Sequence, residues 1–151
     1  MPEIYTTEWY DELKNLLNSN PDLAKSAPQG TLKMLGQFYG DGRSPYLSAG
    51  EQRFFVILLD DGKCTDYYEV AESPPRKDFD FIFEIPAAVF EEVAAGSVDP
   101  VEAGLKGTIK ITGDMRILIR HADLVNVMKD VYTRDVETTW PKGKPPYGAG
   151  A

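Results

Sequence analysis

The sequence predicts a single mixed α/β domain, and three observations carry that reading. Short apolar runs at strand spacing alternate with stretches at helical spacing. Gly, Pro and Asp punctuate each change, and neither a fixed-period repeat nor a second block of distinct composition divides the chain. A chain of 151 residues, 42% apolar and 26% charged, suits one core that buries roughly two thirds of the unfolded surface.

Each element follows in order. Trp9, Leu13, Leu16 and Leu17 recur at helical spacing within 8–17, with Thr7 as an N-cap, and Asn20-Pro21 supplies a cap and a first-turn proline for a short second helix over 22–26. Residues 31–39 read as a strand weakened by Gly36. The aromatic and β-branched runs 53–59 and 63–70 flank Asp60-Asp61-Gly62, which is hairpin chemistry. The unbroken apolar stretch from Phe54 to Leu59 predicts a central strand covered on both faces, while the mixed run 65–70 belongs nearer an edge. Residues 78–85 alternate, which predicts a strand with Phe79, Phe81 and Phe83 on one face. Pro86 then opens a helix with Val89, Phe90 and Val93 on one side and Gly96 beyond its end. Asp99-Pro100 caps a short helix, and 108–112 forms a last strand. From Met115 to about Tyr132 the spacing of Ile117, Leu118, His121, Leu124, Val125, Met128, Val131 and Tyr132 predicts one long helix. The Pro- and Gly-rich stretch from Thr138 predicts an extended or mobile tail, so the domain is expected over 1–137 and the tail over 138–151.

The charge excludes several function classes. Sixteen basic against 24 acidic side chains give a net charge of −8, which disfavours nucleic acid and polybasic attachment to anionic membranes and leaves neutral or apolar ligands open. A single cysteine, Cys64, allows no intramolecular disulfide, and one histidine with one cysteine is too few for a structural zinc site. The start, Met1 to Tyr5, has no leader signature, and no apolar run approaches the length of a membrane span. The expectation is therefore a cytoplasmic protein without stable membrane insertion.

The residues also point away from catalysis. His121 lies on or beside the apolar stripe with no Ser or Cys motif near it, so it reads as a buried, hydrogen-bonded structural histidine. Cys64 reads as an inert, half-buried thiol. The carboxylate groups Asp60-Asp61, Asp78/Asp80/Glu84 and Glu91-Glu92 fall in a turn, on the solvent side of a strand and on the polar face of a helix, so all read as solvated surface. No phosphate loop, dinucleotide fingerprint, nucleophile elbow or zinc-protease motif is present. Neither an enzyme, a metal nor a cofactor is expected.

The stretch from Phe79 to Met128 carries a succession of motifs. An alternating strand leads into a helix ending Ala94-Ala95-Gly96. Val98-Asp99-Pro100-Val101-Glu102-Ala103 follows, and then Leu105-Lys106-Gly107-Thr108-Ile109-Lys110-Ile111-Thr112-Gly113-Asp114 before the last helix. In this order the stretch resembles the sterol carrier protein 2 family. The resemblance implies a five-stranded mixed sheet covered by helices, with an apolar tunnel between the layers for a fatty acyl chain, an acyl-CoA, or a sterol or isoprenoid-like lipid. It also implies the tunnel wall: Phe79, Phe81, Phe83, Val89, Phe90, Val93, Met115, Ile117, Leu118, Leu124, Val125 and Met128. From periodicity alone the same residues read as filled core. Thr108 stands where many members carry Lys or Arg, the chain ends Gly-Ala-Gly-Ala where eukaryotic members end in the peroxisomal Ser-Lys-Leu, and the acidic balance is unlike that of the animal carriers. These departures suggest a prokaryotic relative. The alternative function is an accessory or dimerisation module for a partner enzyme, or a homodimer, with a filled core and no ligand cavity and with Trp140 and Tyr147 as candidate anchors.

Overall fold

A computed structural model describes residues 1–147. Two helices open the chain, α1 (Thr7–Ser19) and α2 (Pro21–Ser26). The cap of α1 is Thr6, one residue earlier than expected, whose side chain accepts from the Trp9 amide. Asn20 closes α1 through its backbone N–H and caps α2 by accepting from the Asp22 amide at 2.9 Å.

Strands β1 (Thr31–Tyr39), β2 (Gln52–Asp60), β3 (Lys63–Val70), β4 (Phe81–Pro86) and β5 (Lys110–Gly113) form one five-stranded mixed sheet in the order β3-β2-β1-β4-β5. Only β1 and β4 run parallel. The β2–β3 hairpin turns at Asp61 and Gly62, both at positive φ as a type I′ turn requires. As its continuous apolar run predicts, β2 lies inside the sheet, and Phe54 to Ile57 are all buried.

Gly36 is explained by space. It sits opposite Phe55 in the β1–β2 register, and a Cβ there would stand 1.7 Å from the Phe55 ring. That ring stacks on Phe38 at 4.6 Å. Gly36→Ala is therefore expected to drive Phe55 off this stack and destabilise the protein by about 1–3 kcal/mol, the usual cost of overpacking, read as a lower urea midpoint at unchanged m-value.

Phe79 departs from the predicted alternation. Arg76–Asp78 form a 3₁₀ turn, and Asp80 is pinned to β1 by donating its amide to the Lys33 carbonyl at 2.9 Å and accepting from the Lys33 amide at 2.8 Å. Two-residue parity begins only at Phe81. Phe79 thus joins Leu35, Phe54, Val56 and Ile82 on one face of the sheet, while Phe81 and Phe83 belong to the cluster on the other. The helices pack on that second face, where the main core lies.

After β4 come α3 (Ala87–Ala94) and α4 (Pro100–Lys106). The long final helix expected from Met115 to Tyr132 is divided instead into α5 (Met115–Arg120), α6 (Ala122–Asp130) and a π-helical turn, Val131–Asp135. His121 makes the break. Its backbone leaves the helical region (φ −112°, ψ 44°), and its Nδ1 lies 3.2 Å from the Ser26 carbonyl of α2, which holds the ring to a neighbouring element. The bend lets α6 bury Leu124 and Val127, whereas α5 buries no residue fully.

The segment expected to be a mobile tail is packed as far as Tyr147. Thr139 exchanges backbone hydrogen bonds with Pro2 and Ile4, Thr138 accepts from the Trp9 indole at 2.9 Å, and the Tyr46 hydroxyl donates to the Gly143 carbonyl at 2.9 Å. Trp140 is half-buried beside Tyr46. The terminal Gly-Ala-Gly-Ala lies outside the described residues.

Candidate functional site

The interior between sheet and helices is a layer of aromatic rings centred on Phe90. A helix apolar on every side must be buried, and α3 is one: of its eight residues only Glu92 reaches solvent appreciably. This places the Phe90 ring 4.2 Å from Phe38, 5.8 Å from Trp9, 5.8 Å from Tyr132, 6.0 Å from Tyr5 and 6.2 Å from Phe55. Phe55 and Tyr10 extend the layer to Tyr67, at 5.9 and 5.7 Å.

Burying α3 also buries Glu91, at 0% exposure, against the solvated position expected for it. Its carboxylate accepts from three hydroxyls brought in by distant segments: Tyr5 at 2.5 Å, Ser44 at 2.8 Å, and Tyr147 of the C-terminal segment. Burial raises the carboxyl's pKa above the ordinary glutamate range, partly offset by the hydrogen bonds from Tyr147, Tyr5 and Ser44. Tyr5 sits at φ 66°, a strained conformation for a bulky residue. Three contacts hold it there: the bond to Glu91, an Arg53 N–H donated to its carbonyl at 3.2 Å, and the Arg53 guanidinium 4.8 Å over its ring.

The other side of Tyr5 faces a cleft of about 420 Å³ between the start of α1 and the outer part of β2 and β3. Tyr5, Tyr10 and Tyr67 are at once walls of this cleft and members of the buried core. Arg53 and Glu69 form a bidentate ion pair across it, and Thr7, Asp11, Gln52, Tyr68, Val70 and Ala71 complete the lining. At its inner end the Tyr67 and Tyr132 hydroxyls bond to each other. A smaller cavity, about 250 Å³, lies under the C-terminal segment beside Ala94, Val136 and Trp140.

The reactive groups are quiet. Cys64 is fully buried, and desolvation pushes its thiol pKa up to about 11. His121 is half-buried with one ring nitrogen on a backbone carbonyl. Among the described residues no three His, Cys, Asp or Glu side chains gather as a metal site, and no helix is long and apolar enough to cross a membrane.

The residues expected to line a tunnel fall into four positions. Phe81, Val89, Phe90 and Leu124 are buried in the main core, with Phe83, Ile117, Leu118 and Met128 half-buried against it. Val93 is buried and Val125 half-buried, both outside that cluster. Phe79 lies on the far face of the sheet, and Met115, at the start of α5, is 45% exposed. Sequence reasoning did not single out Tyr5, Tyr10, Phe38, Phe55, Tyr67 and Arg53, which form the cleft and the aromatic layer of this candidate site. It missed Glu91 too, for which the all-round apolar pattern of 87–94 was an available signal.

A family model described as the SCP-2 sterol transfer family matches residues 46–126, more than half of the chain. Solved structures are similar in fold. A crystal structure of sterol carrier protein 2 is 20% identical, with a TM-score of 0.72 over 87% of this chain and 98% of that one. The solution structure of a conserved hypothetical protein from Thermus thermophilus is 22% identical, with a TM-score of 0.71 over 91% and 92%. That of palmitated SCP2L2 from Aedes aegypti is 14% identical, with a TM-score of 0.51 over 82% and 94%. No curated protein matches the chain.

Proposed function

The chain belongs to the SCP-2 sterol transfer family, and from that premise we propose that it binds and transfers an apolar lipid between sheet and helices without performing chemistry on it. The observation that carries this reading is the continuity of the cleft with the aromatic layer through Tyr5, Tyr10 and Tyr67. A chain entering there meets the core with three rings to displace. The volume of about 420 Å³ lies within the roughly 300–1,000 Å³ of small-molecule sites. Burying a C16 chain would supply on the order of 10 kcal/mol in transfer terms, less after its ordering cost. The buried thiol of Cys64 and the engaged ring of His121 support binding over catalysis.

The accessory-module reading needs Trp140 and Tyr147 as free anchors. Both are engaged within the chain, against Tyr46 and Glu91, which favours the carrier. The test is native mass spectrometry of the purified protein with extraction of what co-purifies, followed by titration with a fatty acid, a fatty alcohol and a sterol. The expected result is one apolar lipid per chain or saturable binding of at least one of the three. Clean protein that binds none of them would overturn the reading.

A further inference from the structure

Building on the lipid-binding reading, we propose that the cleft at the start of α1 seats the ligand's head, and that this head is a neutral oxygen group, a hydroxyl or a carbonyl, hydrogen-bonded to Tyr10. Tyr10 is 2% exposed, and its hydroxyl has no hydrogen-bond partner among the described residues. A buried hydroxyl without a partner carries a desolvation cost that native structures rarely leave uncompensated. Here the residue forms part of the cleft wall, so a ligand that parts the packing over the hydroxyl can supply the missing partner.

The neighbouring groups cannot. Tyr67 and Tyr132 are engaged with each other through one shared hydrogen bond, the Tyr5 hydroxyl is donated to Glu91, and the Arg53 guanidinium donates to Glu69 and to the Tyr5 carbonyl. These pairings also define the charge of the head. Arg53 is neutralised by Glu69, and Asp11 adds a negative charge to the lining. An ionised carboxylate or phosphate would meet a wall of net negative charge with no cation to spare. A quaternary ammonium could not satisfy the Tyr10 hydroxyl, because it has no donor or acceptor to offer. A hydroxyl or an ester or ketone carbonyl accepts the Tyr10 proton and brings no charge. Its chain would then continue inward past the Tyr10 and Tyr67 rings to the aromatic layer.

The test compares four C16 probes at pH 8, 1-hexadecanol, methyl palmitate, hexadecane and palmitate, on the full chain and on Tyr10→Phe. The alcohol and the ester are expected to bind the wild type about threefold to tenfold more tightly than hexadecane or palmitate. Tyr10→Phe, which keeps the ring and removes only an unsatisfied hydroxyl, should fold at an unchanged or higher Tm, lose that advantage and leave hexadecane binding as it was. Palmitate binding as tightly as hexadecanol, or Tyr10→Phe retaining the full affinity for the alcohol, would overturn this inference and leave the lipid-binding reading intact. Binding of none of the four overturns this inference, and overturns the lipid-binding reading as well when the sterol also fails to bind and no lipid co-purifies.

Discussion

Replacing Phe90 with alanine is expected to cost about 3–5 kcal/mol of stability and, in the same variant, to increase the stabilisation gained from an added lipid. The first effect follows from position. Phe90 is the one ring within about 6 Å of five others, contributed by the segment before α1, by α1 itself, by β1, by β2 and by the π-helical turn. Deleting it leaves a void that none of these can fill without leaving its own partners, and large-to-small aromatic substitutions in such sites cost about that much. Phe90→Leu, which keeps most of the volume, should cost clearly less.

The second effect follows from the proposed route. A chain that reaches the layer between sheet and helices would occupy the volume left by Phe90, and a ligand that binds only the folded state stabilises it by RT ln(1 + [L]/Kd). Thermal unfolding of wild type and Phe90→Ala, each with and without 1-hexadecanol, reads both effects. A lipid-induced shift in Tm no larger in the variant than in the wild type would place the ligand outside this layer.

The fold was legible where the code is local. The β2–β3 hairpin, the caps at Asn20 and Asp99 and the central position of β2 are each written in a few adjacent residues, and each is found. The reading failed where a tertiary bond overrode a local period. The helical spacing from Met115 onward is real, but His121 is held by the Ser26 carbonyl, 95 residues away, and no periodicity reports such a contact. Phe79 fits the alternation of β4 by count alone, because the 3₁₀ turn and the bonds of Asp80 to Lys33 reset the parity only beyond it.

The site was less legible for the same reason. Its walls come from the first eleven residues and from the β2–β3 hairpin with Ala71, and the Glu91 cage behind Tyr5 is completed by a C-terminal segment whose composition reads as a linker. Tyr147 lies in a Pro- and Gly-rich context, yet its hydroxyl closes the Glu91 cage. Tyr5 belongs to no predicted element, and its positive φ is imposed by contacts with Glu91 and Arg53. The family resemblance directed attention to the layer between sheet and helices. It could not locate the cleft, whose polar lining has no periodic signature.

Glu91→Leu is expected to destabilise the protein by about 2–4 kcal/mol, and by more at pH 5 than at pH 8. Leucine fills a similar volume but offers no acceptor, so the buried hydroxyls of Tyr5 and Ser44 lose their partner, at about 1–3 kcal/mol for each stranded group. Tyr147 is half-buried and can turn to water. The pH dependence follows from the raised pKa of Glu91, caused first by burial and also by the nearby Asp41. A carboxyl that holds its proton more tightly when folded contributes stability that is complete below its unfolded value of about 4.3 and is lost as pH rises through the folded value. The wild type therefore gives up part of this contribution on going to pH 8, and the leucine variant has none to lose. The carboxyls of Asp99 and Asp114, whose pKa values lie below the ordinary range, titrate beneath this window and do not mask the trend. Urea midpoints of both proteins across pH 5–8 measure it, and a difference that grew with pH would contradict the burial of Glu91. Because the same carboxylate helps to hold Tyr5 in its strained conformation at the wall of the cleft, the variant should also bind 1-hexadecanol more weakly. Glu91 thereby links the packing of the C-terminal segment to the shape of the proposed head site.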